Sequence, residues 1–260
     1  MDSKRIQQYL LLVVIIQIFF VVKTSACGGK ILLRSGPASE YDKQIILDTH
    51  NALRQLVALG QIPGHPQASN LQEMKWDDEL AYRAEQWSHS CFSERHDEGR
   101  HLRRFPVGQN IATIWTTKKP TSTYEVVADY PDAIKRWFDE YRNYRFGKIY
   151  YSDDTTGHYT QMVWANSNLV GCGYAFYYDP AKGFTKNYIC NYGPSGNVMG
   201  EAPYRIGPPS CSSYGMQDSE RYYGLCKKTQ QYLSNFQTIN VPQFNNVNDI
   251  IELVIERAYR

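Results

Sequence analysis

Apolar residues are laid out along this chain in three ways: one unbroken run, several stripes at helical spacing, and two dense aromatic and β-branched blocks. The unbroken run, residues 10–22, is interrupted only by Gln17, follows Lys4 and Arg5, and leads to Thr24-Ser25-Ala26. That order of basic, apolar and small residues reads as a secretory signal peptide cut before Cys27, because the run is shorter than the ~20 apolar residues a spanning helix needs. From Ser39, a helix N-cap residue, Tyr41, Ile45, Ala52, Leu56 and Leu59 follow a 3.6-residue period, with His50 and Arg54 on the opposite side and residues 60–66 as the stop. A second stripe is Trp76, Leu80, Ala84, Trp87 and Cys91. After Pro131 come Ile134, Trp137, Phe138 and Tyr141. Glu140 stands about 60° around the helix from that stripe, at the lip of its apolar face. Near the end of the chain Ile250, Leu253, Val254 and Ala258 give a short helical signal over residues 249–260.

The two dense blocks, residues 170–178 and 184–192, flank Asp179-Pro180-Ala181-Lys182-Gly183, which has turn chemistry. A hairpin centred on Ala181 sets Cys172 opposite Cys190, since each lies nine residues from that centre. Facing positions in antiparallel strands have the Cα separation that a disulfide spans. The other cysteines are Cys27, Cys91, Cys211 and Cys226, an even set with no CxxC and no Cys/His cluster of the zinc-finger kind. Three structural bridges are the expectation in a secreted protein, with Cys211 and Cys226 closing a small local loop after the Pro-, Gly- and Ser-rich residues 201–213.

Charge removes some partners from consideration. The formal net charge of +2 falls to zero once Lys4, Arg5 and Lys23 leave with Asp2, so a basic footprint for nucleic acid or anionic lipid is absent. Arg100, His101, Arg103 and Arg104 form one basic cluster, but Glu94, Asp97 and Glu98 lie close by, which reads as a solvated mixed-charge loop. No segment after residue 26 is apolar enough to span a bilayer, so a secreted, extracellular protein without an integral membrane segment is expected.

Two stretches carry a resemblance. Gly157-His158-Tyr159-Thr160-Gln161-Met162-Val163-Trp164, then Gly171-Cys172-Gly173, then Cys190-Asn191-Tyr192-Gly193-Pro194-Ser195-Gly196-Asn197 are similar to the paired signatures of the CAP superfamily (cysteine-rich secretory proteins, antigen 5 and pathogenesis-related proteins). Upstream, in order, stand His50-Asn51-Ala52-Leu53-Arg54, Trp76-Asp77-Asp78-Glu79-Leu80-Ala81, Trp87 with Cys91, Gly108-Gln109-Asn110, and Trp137 with Glu140. The likeness covers roughly residues 39–204 and is greatest to the insect venom allergen 5 branch. It implies an α+β fold: a three-layer α/β/α CAP sandwich with a small antiparallel sheet, here followed by a disulfide-closed C-terminal extension. The chain then divides into a signal peptide (1–26), an N-terminal segment (27–38), the CAP domain (39–204) and the extension (205–260). The resemblance also implies a Cys27–Cys91 bridge and leaves Cys211 for Cys226. Two further N-terminal bridges of venom antigen 5 have no counterparts, so that end is expected to be less constrained.

By the same likeness the central cleft is lined by His96, Gln109, Glu140 and His158. Two imidazoles and a carboxylate from distant segments offer a divalent metal such as zinc three ligands and an open position. Gln109, where relatives carry an acid, weakens both this and the acid/base reading, because a neutral amide is a poor zinc ligand and transfers no proton at ordinary pH. No cofactor is therefore required, and weak zinc binding is the most the site is expected to show. Tyr144, Phe146 and Tyr151 fit the aromatic spacing of a caveolin-type loop associated with sterol binding in some relatives. The leading reading is a secreted, non-enzymatic protein of the venom or salivary allergen type, binding a sterol, a fatty acid or a protein of another organism. A secreted protease or other hydrolase using the His/Glu cleft is the alternative. A channel-blocking toxin is a third, but two cysteines after Tyr204 are too few for the cysteine-dense module it requires.

Overall fold

A computed structural model describes residues 27–150 and 155–228. Strand β1 (Ile31–Gly36) precedes helix α1 (Glu40–Ala58), β2 (Lys75–Trp76), α2 (Asp78–His89), β3 (Gly108–Thr116), α3 (Tyr130–Asp139) and α4 (Gly157–Met162). The long hairpin β4 (Leu169–Asp179) and β5 (Gly183–Gly193) follows, and β6 (Met216–Asp218) with β7 (Cys226–Lys228) ends the described chain. The main sheet runs β1-β4-β5-β3 with antiparallel neighbours, and β2 adds a short parallel pairing to β4. Helix α2 lies on β4 and β5, while α1, α3 and α4 pack together on the other side, giving the three-layer α/β/α sandwich. No helix among the described residues is long and apolar enough to cross a membrane.

The local signals acted as read at several points. Ser39 caps α1 in a capping box: its Oγ accepts from the Asp42 N–H at 3.1 Å, and Asp42 Oδ2 accepts from the Ser39 N–H at 3.0 Å. Cys172 faces Cys190 in the hairpin, and the bridges are Cys27–Cys91, Cys172–Cys190 and Cys211–Cys226. Among the described residues no cysteine is free.

The packing goes beyond the sequence reading at four points. The side of α1 opposite its apolar stripe is not solvated: Thr49, His50, Asn51 and Arg54 are fully buried. The Arg54 guanidinium donates to the carbonyls of Gln72 (2.6 Å), Met162 (2.6 Å) and Trp164 (3.1 Å), so main-chain dipoles replace its water. Burial pushes its pKa down to about 9, which leaves it charged at neutral pH. Trp76 stands on β2 rather than on α2, which starts only after the N-cap Asp77 accepts from the Leu80 N–H. The N-terminal segment is held without further disulfides, because β1 pairs along β4 and Lys30 reaches both Asp179 Oδ2 (3.1 Å) and the Cys91 carbonyl (3.0 Å). Finally, residues 205–228 are clamped to the sandwich: Leu225 and Cys226 are fully buried, the Cys226 N–H donates to the Leu71 carbonyl, and the Cys226 carbonyl accepts from the Glu73 N–H. The expected signal peptide and the helix over residues 249–260 lie outside the described residues.

Two glycines set the spacing between α2 and the sheet. A Cβ at Gly171 would stand 2.2 Å from the Ala81 nitrogen, and one at Gly173 would stand 2.4 Å from the Glu85 nitrogen. The Gly-Cys-Gly sequence thus lets a helix backbone rest directly on β4.

Candidate functional site

A cleft of about 690 Å³ opens where the end of α3, the start of α4 and the start of β3 converge. His96, Gln109 and His158 line it, as does Tyr144. Glu140 begins the 3₁₀ turn that continues α3, and its carboxylate reaches the start of α4. Oε1 lies 2.6 Å from His158 Nδ1, while Oε2 accepts from the N–H groups of His158 (3.0 Å) and Tyr159 (3.1 Å). The Trp137 ring lies against the His158 ring, with centroids 6.2 Å apart, and is itself fixed by a hydrogen bond to the Ile111 carbonyl.

Gln109 and His96 form the second half of the site. β3 and β5 are in register so that Gln109 faces Asn191. The Asn191 amide donates to the Leu80 carbonyl (3.2 Å), and its Oδ1 accepts from Gln109 Nε2 (2.9 Å). Gln109 Oε1 accepts from the Asp97 N–H (3.1 Å) and from His96 Nδ1 (3.0 Å). Backbone groups at both ends fix the sense of every bond between them, so His96 carries its proton on Nδ1. His158 is held in the same tautomer by Glu140. With Nδ1 committed in this way, Nε2 of each ring is the nitrogen left to face the cleft.

Beneath the cleft is a buried polar chain. Asn110 donates to the His158 carbonyl (3.1 Å) and to the Tyr192 hydroxyl (3.3 Å), Tyr192 contacts His50 Nε2 (2.9 Å), and His50 Nδ1 donates to the Ile46 carbonyl (2.8 Å). Burial is the main cause that pulls the His50 pKa down to about 4 and pushes the Tyr192 phenol well up.

The sequence-predicted residues thus fall into two hydrogen-bonded pairs, His158 with Glu140 and His96 with Gln109. Among the described residues no group of three or more His, Cys, Asp or Glu side chains is placed to hold a metal ion. Tyr144 turns inward, its ring 5.7 Å from that of Tyr159 and 6.0 Å from that of His65, and Phe146 packs on Tyr204 at 4.6 Å. Tyr151 lies outside the described residues. The basic cluster is engaged away from the cleft, with Arg104 on Asp77 and Glu79 and Arg100 on backbone carbonyls. Sequence reasoning missed Asn191 as the partner of Gln109 and missed Arg95, whose guanidinium sits 3.9 Å from the Phe92 ring centre at the cleft wall. Asn191 lay inside a recognised motif, but its partner depended on the β3–β5 register.

Comparison with known proteins gives three concordant results. Residues 47–192 match the family model described as CAP: Cysteine-rich secretory protein family. Salivary antigen-5 of Triatoma infestans is 34% identical over 203 residues, covering 72% of this chain and 82% of the relative. Venom allergen 5 of Tityus serrulatus is 39% identical over 204 residues, covering 72% of this chain, but the match spans only 48% of that relative's length. Among solved structures, the crystal structure of NaASP2 with Zn²⁺ aligns at a TM-score of 0.58 and 28% identity, covering 74% of this chain and 98% of that one.

Proposed function

This chain belongs to the CAP family of cysteine-rich secretory proteins, and from that premise we propose that it is a secreted, non-enzymatic protein of the salivary or venom antigen-5 type that binds a small hydrophobic ligand, a sterol or a fatty acid. An extracellular protein of another organism is the other partner class this reading admits. The observation that carries the non-enzymatic reading is the state of the acid/base groups. Glu140 already accepts three hydrogen bonds, and Gln109 cannot transfer a proton. Among the described residues neither cleft imidazole is hydrogen-bonded to a serine, threonine or cysteine side chain that would serve as nucleophile. Relatives named as salivary and venom proteins support secretion.

Burial of apolar ligand surface at roughly 25 cal/mol per Å² makes micromolar lipid binding attainable from a few hundred Å². Titration of the purified protein with labelled cholesterol and palmitate is expected to give saturable binding of at least one, together with no turnover of a peptide and ester library. Replacing Tyr144, Phe146 and Tyr151 together by Ala is expected to weaken sterol binding about tenfold while palmitate binding holds, with circular dichroism as the check on folding. Absence of saturable binding of both lipids removes the ligand reading, and turnover that disappears in His158→Ala replaces it with the hydrolase.

Zinc is the second reading, favoured by the relative solved with Zn²⁺ and by the two Nε2 acceptors. The donor set fits a catalytic zinc poorly, since Glu140 is fully engaged and two imidazoles fall short of the usual three protein ligands. Weak binding through His96 and His158 is expected, strengthened in Gln109→Glu. Equal calorimetric affinities for the two forms, or affinity unchanged in His158→Ala, would remove the metal from this cleft.

A further inference from the structure

The cleft wall carries three cationic side chains that the lipid and metal readings leave unexplained. Arg95 comes from the loop after α2, and Arg145 and Lys148 come from the segment after α3, so positive charge is contributed from two separate stretches of the wall. Arg95 is preset for planar recognition: its guanidinium lies 3.9 Å from the Phe92 ring centre and 5.9 Å from that of Trp87, stacking that orients the fork and reduces the side-chain freedom lost on binding. Among the described residues none of the three cations is in an ion pair. The nearby acids are engaged: Glu94, which lines the wall, is paired with Lys182, and Glu140 holds His158 and two backbone N–H groups. The remaining lining is rich in amides and hydroxyls.

The donor and acceptor pattern narrows the ligand. Arg95, Arg145 and Lys148 offer only donors and positive charge, which match an oxyanion. His96 and His158, with Nδ1 committed, offer Nε2 lone pairs, which match hydroxyl donors. The volume suits a ligand of disaccharide size. We propose that the cleft is a binding site for a hydroxylated oxyanion, a sulfate or phosphate ester carried on a sugar or polyol. The acid group is held by Arg95, Arg145 and Lys148, and the hydroxyls by the two imidazoles. This site is independent of the lipid reading, since such a ligand has no apolar tail.

Calorimetry on the purified full-length protein at low ionic strength, with four probes, tests the proposal: a sulfated disaccharide, its unsulfated counterpart, inositol hexakisphosphate and inorganic sulfate. The expected result is saturable binding of the sulfated disaccharide or the phosphorylated inositol. That binding should be about tenfold or more tighter than for inorganic sulfate or the unsulfated sugar, and should weaken as salt rises. Which ester binds more tightly identifies the source. Arg95→Ala and Lys148→Ala, both at exposed positions, are each expected to weaken binding about fivefold or more, while Arg104→Ala, engaged by Asp77 and Glu79, leaves it unchanged. His158→Gln, which loses the lone pair at Nε2, is expected to reduce the preference for the hydroxylated ligand over inorganic sulfate. No saturable binding of either ester, equal binding of the unsulfated sugar, or affinity unaffected by both cleft variants overturns the assignment.

Discussion

Replacing Gly173 by alanine is expected to destabilise the protein by about 4 kcal/mol or more. Overpacking a core typically costs ~1–3 kcal/mol when neighbouring side chains can shift, and here the obstacle is backbone. The new methyl would lie 2.4 Å from the Glu85 nitrogen and 2.5 Å from the Ala84 carbonyl carbon and the Glu85 Cα, inside the middle of α2. Relief requires lifting a whole helix from the sheet, which strips cover from Leu80 and Ala84, both fully buried. Gly171→Ala meets the same helix at the Ala81 nitrogen and the Asp77 carbonyl oxygen, and should cost a similar amount. Denaturant midpoints of the secreted variants measure the loss, with failure of secretion as its extreme form. A loss below about 1 kcal/mol in either variant would mean that α2 is not seated on these two residues.

Acid should loosen the same molecule through His50, whose ring is fully buried beneath the cleft. Its folded pKa, pulled from the ordinary 6.5 to about 4, has desolvation as the main cause, with the neighbouring Arg54 cation adding to it and the Ile46 carbonyl opposing it. Between those two values the unfolded chain binds a proton that the folded chain refuses. Stability therefore rises with pH across that window, is fully present above about 6.5, and is lost as pH falls toward 4. A shift of that size corresponds to about 3 kcal/mol from this residue. Carboxylates add their own acid dependence, so the diagnostic quantity is the difference in slope between the wild type and His50→Gln, followed by chemical denaturation from pH 7 to pH 4. Parallel slopes would show that His50 does not resist protonation.

Helices α1, α2 and α3 and the hairpin were legible because their signals are local, whereas the short α4 carried no periodic signal of its own. Ser39 announces the start of α1, and symmetric spacing about Ala181 was enough to pair Cys172 with Cys190. The burial of the polar face of α1 was not legible for a physical reason: periodicity separates apolar from polar positions but does not say what the polar ones meet. Arg54 and His50 find carbonyl and hydroxyl partners from Gln72, Met162, Trp164 and Tyr192, residues 18 to 142 positions away, which no local pattern reveals. The cleft shows the same division. Resemblance supplied its four residues, but the contact of Gln109 with Asn191 depends on the β3–β5 register, and the placement of Phe146 depends on Tyr204 from another segment.

The relay from the Leu80 carbonyl through Asn191 and Gln109 to His96 runs in one direction only. A main-chain oxygen of α2 at one end and the Asp97 N–H at the other therefore set which nitrogen of the His96 ring carries the proton. Helix α2, the sheet and the loop that follows α2 are coupled by polarity as well as by packing. A displacement of α2 that broke the first link would leave the Asp97 N–H to hold the same sense, so the hydrogen-bonding pattern that the cleft presents is anchored twice.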